Sequence, residues 1–174
     1  MITLKGKHIY LRALEPEDLD FIHEIENDQI FWEISNTITP YSKYIIKQYL
    51  EHSHKDIFEV KQLRLVISNY QEEPIGMIDL FDFDFKNKRA GVGILIKESD
   101  QRQKGFGNEA LQLLKDYCKS QLALHQLYCN ISEDNKDSLK LFKNHGFEII
   151  GLKKDWNYIN GSHKNEYLLQ ILLN

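Results

Sequence analysis

The order of apolar and polar runs predicts one α/β domain, residues 1–174, with a mixed sheet of seven strands and helices on its faces. Three observations carry that expectation. Strand-like runs at 63–68, 75–83 and 89–96 are separated by short turn-forming pieces at hairpin spacing. A polar, glycine-bearing loop and a long helical pattern then lead from 89–96 to another strand at 126–132, a unit expected to pair in parallel with a right-handed crossover. Two final strands, 147–153 and 165–172, flank an Asn160-Gly161 turn.

The remaining elements follow from periodicity. A first strand is expected at 7–12, where Ile9 and Leu11 alternate with His8 and Tyr10. Pro16 suits a helix start, and Leu19, Ile22 and Ile25 recur at helical spacing after it. A second helix is expected from Thr39-Pro40, with Thr39 as N-cap and Tyr41, Tyr44, Ile45 and Tyr49 on one face. The stretch 27–38 between them reads as irregular. The long helix carries Ala110, Leu111, Leu114, Tyr117, Cys118 and Leu122 on one side, and a short helix is expected at 135–144.

Composition narrows the function. The formal charge of −4 excludes a strong nucleic-acid footprint, and no apolar run reaches membrane-spanning length. Residues 1–7 hold no apolar core or cleavage signal, and two cysteines are too few for a disulfide framework. A cytoplasmic protein that needs no metal is expected.

The most informative segment runs from Ile94 to Gly107. An apolar strand enters a polar loop, and Gly105 and Gly107 stand at a helix start, with Arg102 and Lys104 beside them. Free N–H groups of a first helical turn and the helix dipole favour anions, so this loop is a candidate phosphate cradle. It is neither a Walker loop nor a dinucleotide fingerprint. A flexible strand–helix turn with solvated charges is the other reading.

Arg102-x-x-Gly105-x-Gly107 resembles the acetyl-CoA signature of the GNAT superfamily of N-acetyltransferases. Asn135-x-x-Ser138-x-x-Leu141-Phe142 followed by Gly146-Phe147 is similar to that family's second signature. The opening Leu11-Arg12 and the ending around Asn165-Glu166-Tyr167 resemble the spermidine and ribosomal-protein branches. The resemblance implies a mostly antiparallel sheet whose fourth and fifth strands splay apart, with a bulge near Gly91 and Gly93. It implies acetyl-CoA as co-substrate. The backbone of Ile94, Leu95 and Ile96 would pair with the pantetheine arm, and Gln101, Arg102, Gln103, Lys104, Gly105, Phe106 and Gly107 would wrap the pyrophosphate. Asn135 would hold the arm near its far end, with Ser138 and Phe142 lining the thioester. Asn135 also suits a plain helix N-cap.

Two positions depart from the family pattern. Phe142 stands where many members carry a proton-donating Tyr, and Gly91 follows Arg89-Ala90 where the polyamine and ribosomal branches often carry a Glu. Tyr128 and Asp79 are the candidate substitutes as acid and base, with Tyr158 a further phenol near the last hairpin. Asp28, Trp32, Glu33 and Asp82 are candidates to hold a cationic amine. A polyamine is the first acceptor expected, with a peptide or ribosomal-protein N-terminus as the alternative and an aminoglycoside third. A non-catalytic acyl-CoA-binding module is the rival class, and assembly into a homo-oligomer is left open.

Overall fold

The computed structural model describes residues 4–102 and 104–174. Its seven strands form one sheet in the order β1-β2-β3-β4-β5-β7-β6. These are β1 (Ile9–Arg12), β2 (Leu63–Asn69), β3 (Pro74–Asp84), β4 (Arg89–Ile96), β5 (Gln126–Ser132), β6 (Glu148–Ile159) and β7 (Ser162–Leu172). The β4–β5 pair is parallel and every other neighbouring pair is antiparallel. The helices are α1 (Leu19–Asn27), α2 (Gln29–Ser35), α3 (Lys43–Glu51), α4 (Ile57–Val60), α5 (Ser99–Arg102), α6 (Phe106–Ser120) and α7 (Lys136–Asn144). No helix among the described residues is long and apolar enough to cross a membrane.

Strand alternation sorts the core onto two faces. On one side Ile78, Leu80, Val92, Leu127 and Cys129 pack against Ala110, Leu111, Leu114 and Cys118 of α6 and against Leu139 and Phe142 of α7. On the other, Val66 and Met77 meet Phe21, Ile22 and Ile25 of α1, Phe31 of α2 and Ile46 of α3. The sheet is therefore covered on both sides, as the pattern required.

Several boundaries differ from the expectation. The stretch 27–38 is not irregular: Asp28 accepts from the Ile30 N–H (3.0 Å) and caps α2, of which only Phe31 is buried. The next helix is capped by Ser42, whose Oγ accepts from the Ile45 N–H (3.2 Å), and not by Thr39. Its inward residue is Ile46, while Tyr41, Tyr44, Ile45 and Tyr49 are exposed. Ile46 faces α1, and Tyr44 and Tyr49 fall toward solvent. The β6–β7 hairpin extends well past 153 and 165, turning at Asn160 and Gly161, both at positive φ. The expected bulge at Gly91 and Gly93 lies instead in β3, where the register shifts between Phe81 and Asp84 and Asp82 takes φ 48°.

Gly91 has another purpose. A Cβ there would stand 2.2 Å from the Phe81 ring, so the missing side chain makes room for that ring over β4. Phe81 in turn meets Tyr128 edge-on at 5.8 Å.

One buried charge braces the entry to α1. Asp18 accepts from both terminal nitrogens of Arg12 (2.8 Å each) and from the Glu15 N–H (2.8 Å). Burial alone would raise its pKa, but the Arg12 and Glu15 hydrogen bonds outweigh burial and hold the carboxyl below its ordinary value. A depressed pKa contributes stability above the unfolded value of about 3.9, which is lost as pH falls through the folded value. Asp18→Asn is expected to cost about 2–4 kcal/mol in urea unfolding at pH 7, and the gap to the parent protein should narrow below about pH 4. Cys118 and Cys129 are buried, which pushes both thiols up to about 12. Ellman's reagent at pH 8 should therefore find no reactive thiol in the native protein and both once it is denatured.

Candidate functional site

The parallel ladder between β4 and β5 runs only from Arg89–Gln126 to Gly91–Tyr128. Beyond it the two strands part, while β4 stays paired to β3 and β5 to β7. The backbone of β4 is thus open on one side. The Lys97 N–H donates to Ile75 O (2.9 Å) and Leu95 O lies over Gly76, so the odd-numbered residues bond toward β3. By alternation Val92, Ile94 and Ile96 turn their N–H and C=O groups to the gap. Of the three residues expected to pair with an extended ligand, Ile94 is placed to do so with both backbone groups, Ile96 with its N–H while its carbonyl accepts from Arg102, and Leu95 is engaged on β3.

A cavity of about 350 Å³ lies in this gap, bounded by Ile94–Ile96, Arg102, Gly107 and Asn108, by Asn135, Ser138 and Leu141, and by Ile30, Phe31 and Ile34 of α2. A second, of about 300 Å³, is lined by Gly93, Cys129 to Ser132, Asp134, Phe142, Asn157, Glu33 and Glu166. Both share Ile30, Ile34, Ile94, Asn135 and Ser138, so they are two halves of one cleft. α2 walls both, although its residues carry no helical stripe toward a core: its apolar Ile30 and Ile34 are exposed to the cleft.

The phosphate-cradle residues are gathered at one end. Gly105 is the N-cap of α6 with φ 80°, a conformation that favours glycine, and a Cβ there would meet open space. Phe106 and Gly107 begin the helix, whose first N–H groups have no intrahelical acceptor. Gln101 and Arg102 lie in α5, and Lys104 stands 3.9 Å from Asp100. Gln103 lies outside the described residues. Arg102 is not the free charge expected: it donates to Ile96 O (3.0 Å) and Lys97 O (3.2 Å) and stacks over the Phe31 ring at 5.4 Å. It ties the loop to β4 and α2. Asn135 accepts from the Ser138 N–H (3.2 Å), so the N-cap role is realised at the cleft wall. The open β4 edge, a positively polarised helix terminus beyond it and the unfilled space at Gly93 and Gly105 fit a long ligand with an anionic end, as acetyl-CoA is.

The candidate acid, base and acceptor residues are less well collected. Tyr128 and Asp79 line neither cavity. Burial, and then the nearby Asp82 carboxylate, raise the Tyr128 pKa, so the phenol stays protonated at the closed apex of the gap. Asp79 is held by Arg64 through both oxygens (3.0 and 2.9 Å), and Arg64 also donates to Glu26 (3.0 Å). That pairing commits both Asp79 oxygens to the Arg64 guanidinium, and Asp79 lies outside the cavities. Asp28 is used as a cap, and the Trp32 Nε1 donates to Glu26 O (3.0 Å). Tyr158 is exposed beside His163. Of the four acceptor candidates Glu33 alone lines the cleft, and Lys164 donates to it (2.9 Å) and to Asp134 (2.7 Å). Lys153 likewise donates to Glu166 (2.6 Å) and to Asn130 (2.9 Å). Sequence reasoning missed these hairpin lysines with Glu166 and Asp134; Lys164 and Glu166, two apart and so on one strand face, were the signal available.

Residues 8–148 match the family described as Acetyltransferase (GNAT) domain. Spermidine N(1)-acetyltransferase of Vibrio cholerae is 29% identical over 95% of this chain and 95% of its own length. The crystal structure of spermidine N-acetyltransferase from Vibrio cholerae in complex with CoA and spermine superposes with a TM-score of 0.85, at 26% identity over 97% of both chains. A dodecameric structure of spermidine N-acetyltransferase from the same organism gives a TM-score of 0.80, at 27% identity over 97% of this chain and 95% of that one.

The Gly105 position separates charge from backbone strain. Gly105→Asp should weaken acetyl-CoA binding at least about tenfold in calorimetry, while Gly105→Asn, which tolerates left-handed φ and carries no charge, should weaken it less. Equal, small effects from both would mean that phosphates do not approach this turn.

Proposed function

The chain belongs to the GNAT acetyltransferase family and is an acetyl-CoA-dependent N-acetyltransferase, and we propose that its acceptor is a small polyamine taken up in the acid-lined half of the cleft. The observation that carries this reading is the continuity of the two cavities. One half offers the open β4 edge and the α6 N-terminus; the other offers the carboxylates of Glu33, Asp134 and Glu166. An ammonium-bearing chain suits the second half, and its uncharged amine would meet the first where they share Ile94 and Ser138. Spermidine as the named substrate of the relatives supports the same choice.

Acetyl-CoA supplies an activated thioester. The residues of this chain position it: Val92, Ile94 and Ile96 through backbone groups, Gly105 to Gly107 through the helix terminus, and Asn135 and Ser138 from α7. Arg102 acts indirectly by fixing α5 against β4. Phe142 has no proton to give. A thiolate leaving group, with a free-thiol pKa of about 8.5, needs less protonation than an alkoxide, so positioning carries most of the effect. Within this proposal Tyr128, at the apex of the gap, is kept as the candidate acid, and Asp79 serves to hold Arg64. Assembly into a homo-oligomer belongs to the same reading, supported by the dodecameric relative and by exposed Ile149, Ile150 and Leu152 on the edge strand β6.

Thiol release from acetyl-CoA, screened over polyamines, amino acids, N-terminal peptides and aminoglycosides, tests the acceptor. Spermidine or spermine should give the highest kcat/KM, and a preference for peptides would overturn the polyamine assignment. Phe142→Tyr should leave the acetyl-CoA KM within about twofold and raise kcat, because the new hydroxyl enters the cleft with a proton to donate.

A further inference from the structure

The carboxylates on the acceptor side are already partnered. Lys164 of β7 reaches across the cleft mouth and donates to Glu33 of α2 and to Asp134 of the β5–α7 connection, at 2.9 and 2.7 Å. Lys164 and its two partners come from three separate parts of the fold, so the ammonium sits at the point where the walls of the cleft converge. We propose that Lys164 is a specificity-determining residue: an internal ammonium that fills the cation subsite of the acceptor cleft, which a polyamine must displace to bring its distal charge between Glu33 and Asp134. This inference rests on the reading of that half of the cleft as the acceptor site.

The chemistry of the two occupants is the same. A lysine side chain ends in a primary ammonium on a four-carbon stem, and so does the aminobutyl arm of spermidine. With Lys164 in place the group of two acids and one base carries a net charge of −1; without it the charge is −2, concentrated at a partly buried mouth. Hydrogen bonds to Asp134 and then Glu33 raise the Lys164 pKa, which favours its ammonium form. Lys153, paired with Glu166 deeper along the same hairpin, neutralises the third carboxylate in the same way. A monoamine needs no second cation subsite and is indifferent to this occupancy. An acceptor with two or more ammonium groups is disfavoured by it until Lys164 swings away.

The test compares the parent protein with Lys164→Met and Lys164→Arg, using spermidine and n-butylamine as probes. Calorimetry at low salt should show spermidine binding tightened at least about fivefold by Lys164→Met and unchanged by Lys164→Arg, with n-butylamine little affected. The gain should shrink as salt passes about 0.1 M, where exposed charges are screened beyond roughly 10 Å. Adding Glu33→Gln to Lys164→Met should remove it. Weaker or unchanged spermidine binding in Lys164→Met would overturn the proposal and leave Lys164 a structural brace. Thiol release distinguishes this failure from that of the polyamine reading. Tighter spermidine binding without turnover in either protein supports the internal ammonium and contradicts the acceptor; turnover without tighter binding does the reverse.

Discussion

The structure depends on one interruption: β4 and β5 pair through Gly91–Tyr128 and no further. A parallel pair buried between helices would ordinarily continue its ladder, since unpaired backbone groups are costly away from water. Here each strand keeps its other neighbour, β3 for β4 and β7 for β5, so the sheet survives while the gap opens. The cleft, the exposed backbone of Val92, Ile94 and Ile96 and the position of the α6 terminus at its far end all follow from that break. Phe81 packs at its apex, over Gly91 and against Tyr128, where a larger residue at 91 would clash with the ring. The same crowding leaves no room for an acidic side chain at that position.

The strands around the break were legible in the sequence, β4 as a run of small and apolar residues and β5 because Leu127, Cys129 and Ile131 alternate toward the core. β4 and β5 have the bounds their apolar runs predict, 89–96 and 126–132. α6 and α7 were legible for a related reason: Ala110, Leu111, Leu114 and Cys118, like Leu139 and Phe142, repeat at helical spacing toward one core. α2 was not. It is seven residues long, buries Phe31 alone and turns Ile30 and Ile34 to a cavity, so it shows no stripe of core residues. The bulge was misplaced to Gly91 and Gly93 because glycine suggests irregular backbone, whereas Asp82, which also tolerates positive φ, supplies it.

The charged residues show where reading along a chain stops. Along the chain the acids at 28, 33 and 79 read as available to a cationic substrate, yet the fold gives each a partner: a helix terminus for Asp28, Lys164 for Glu33 and Arg64 for Asp79. Glu33 and Lys164 are 131 residues apart, a pairing that no local pattern announces. Arg102 reverses expectation in the same manner, bonding carbonyls of β4 and packing on Phe31. Gly105 and Gly107 do stand at the start of α6, where the local pattern puts a helix, because that position depends on local conformation and not on distant partners.

Amide hydrogen exchange with and without acetyl-CoA probes the open β4 edge most directly. Binding along the gap should slow exchange at Val92, Ile94 and Ile96 and at the first turn of α6, Phe106 to Asn108, while β1 and β2 exchange as before. Leu95, already bonded to β3, should change little. Protection spread evenly over the sheet, or confined to residues outside β4 and α6, would contradict the assignment of the interrupted β4–β5 ladder as the acetyl-CoA site.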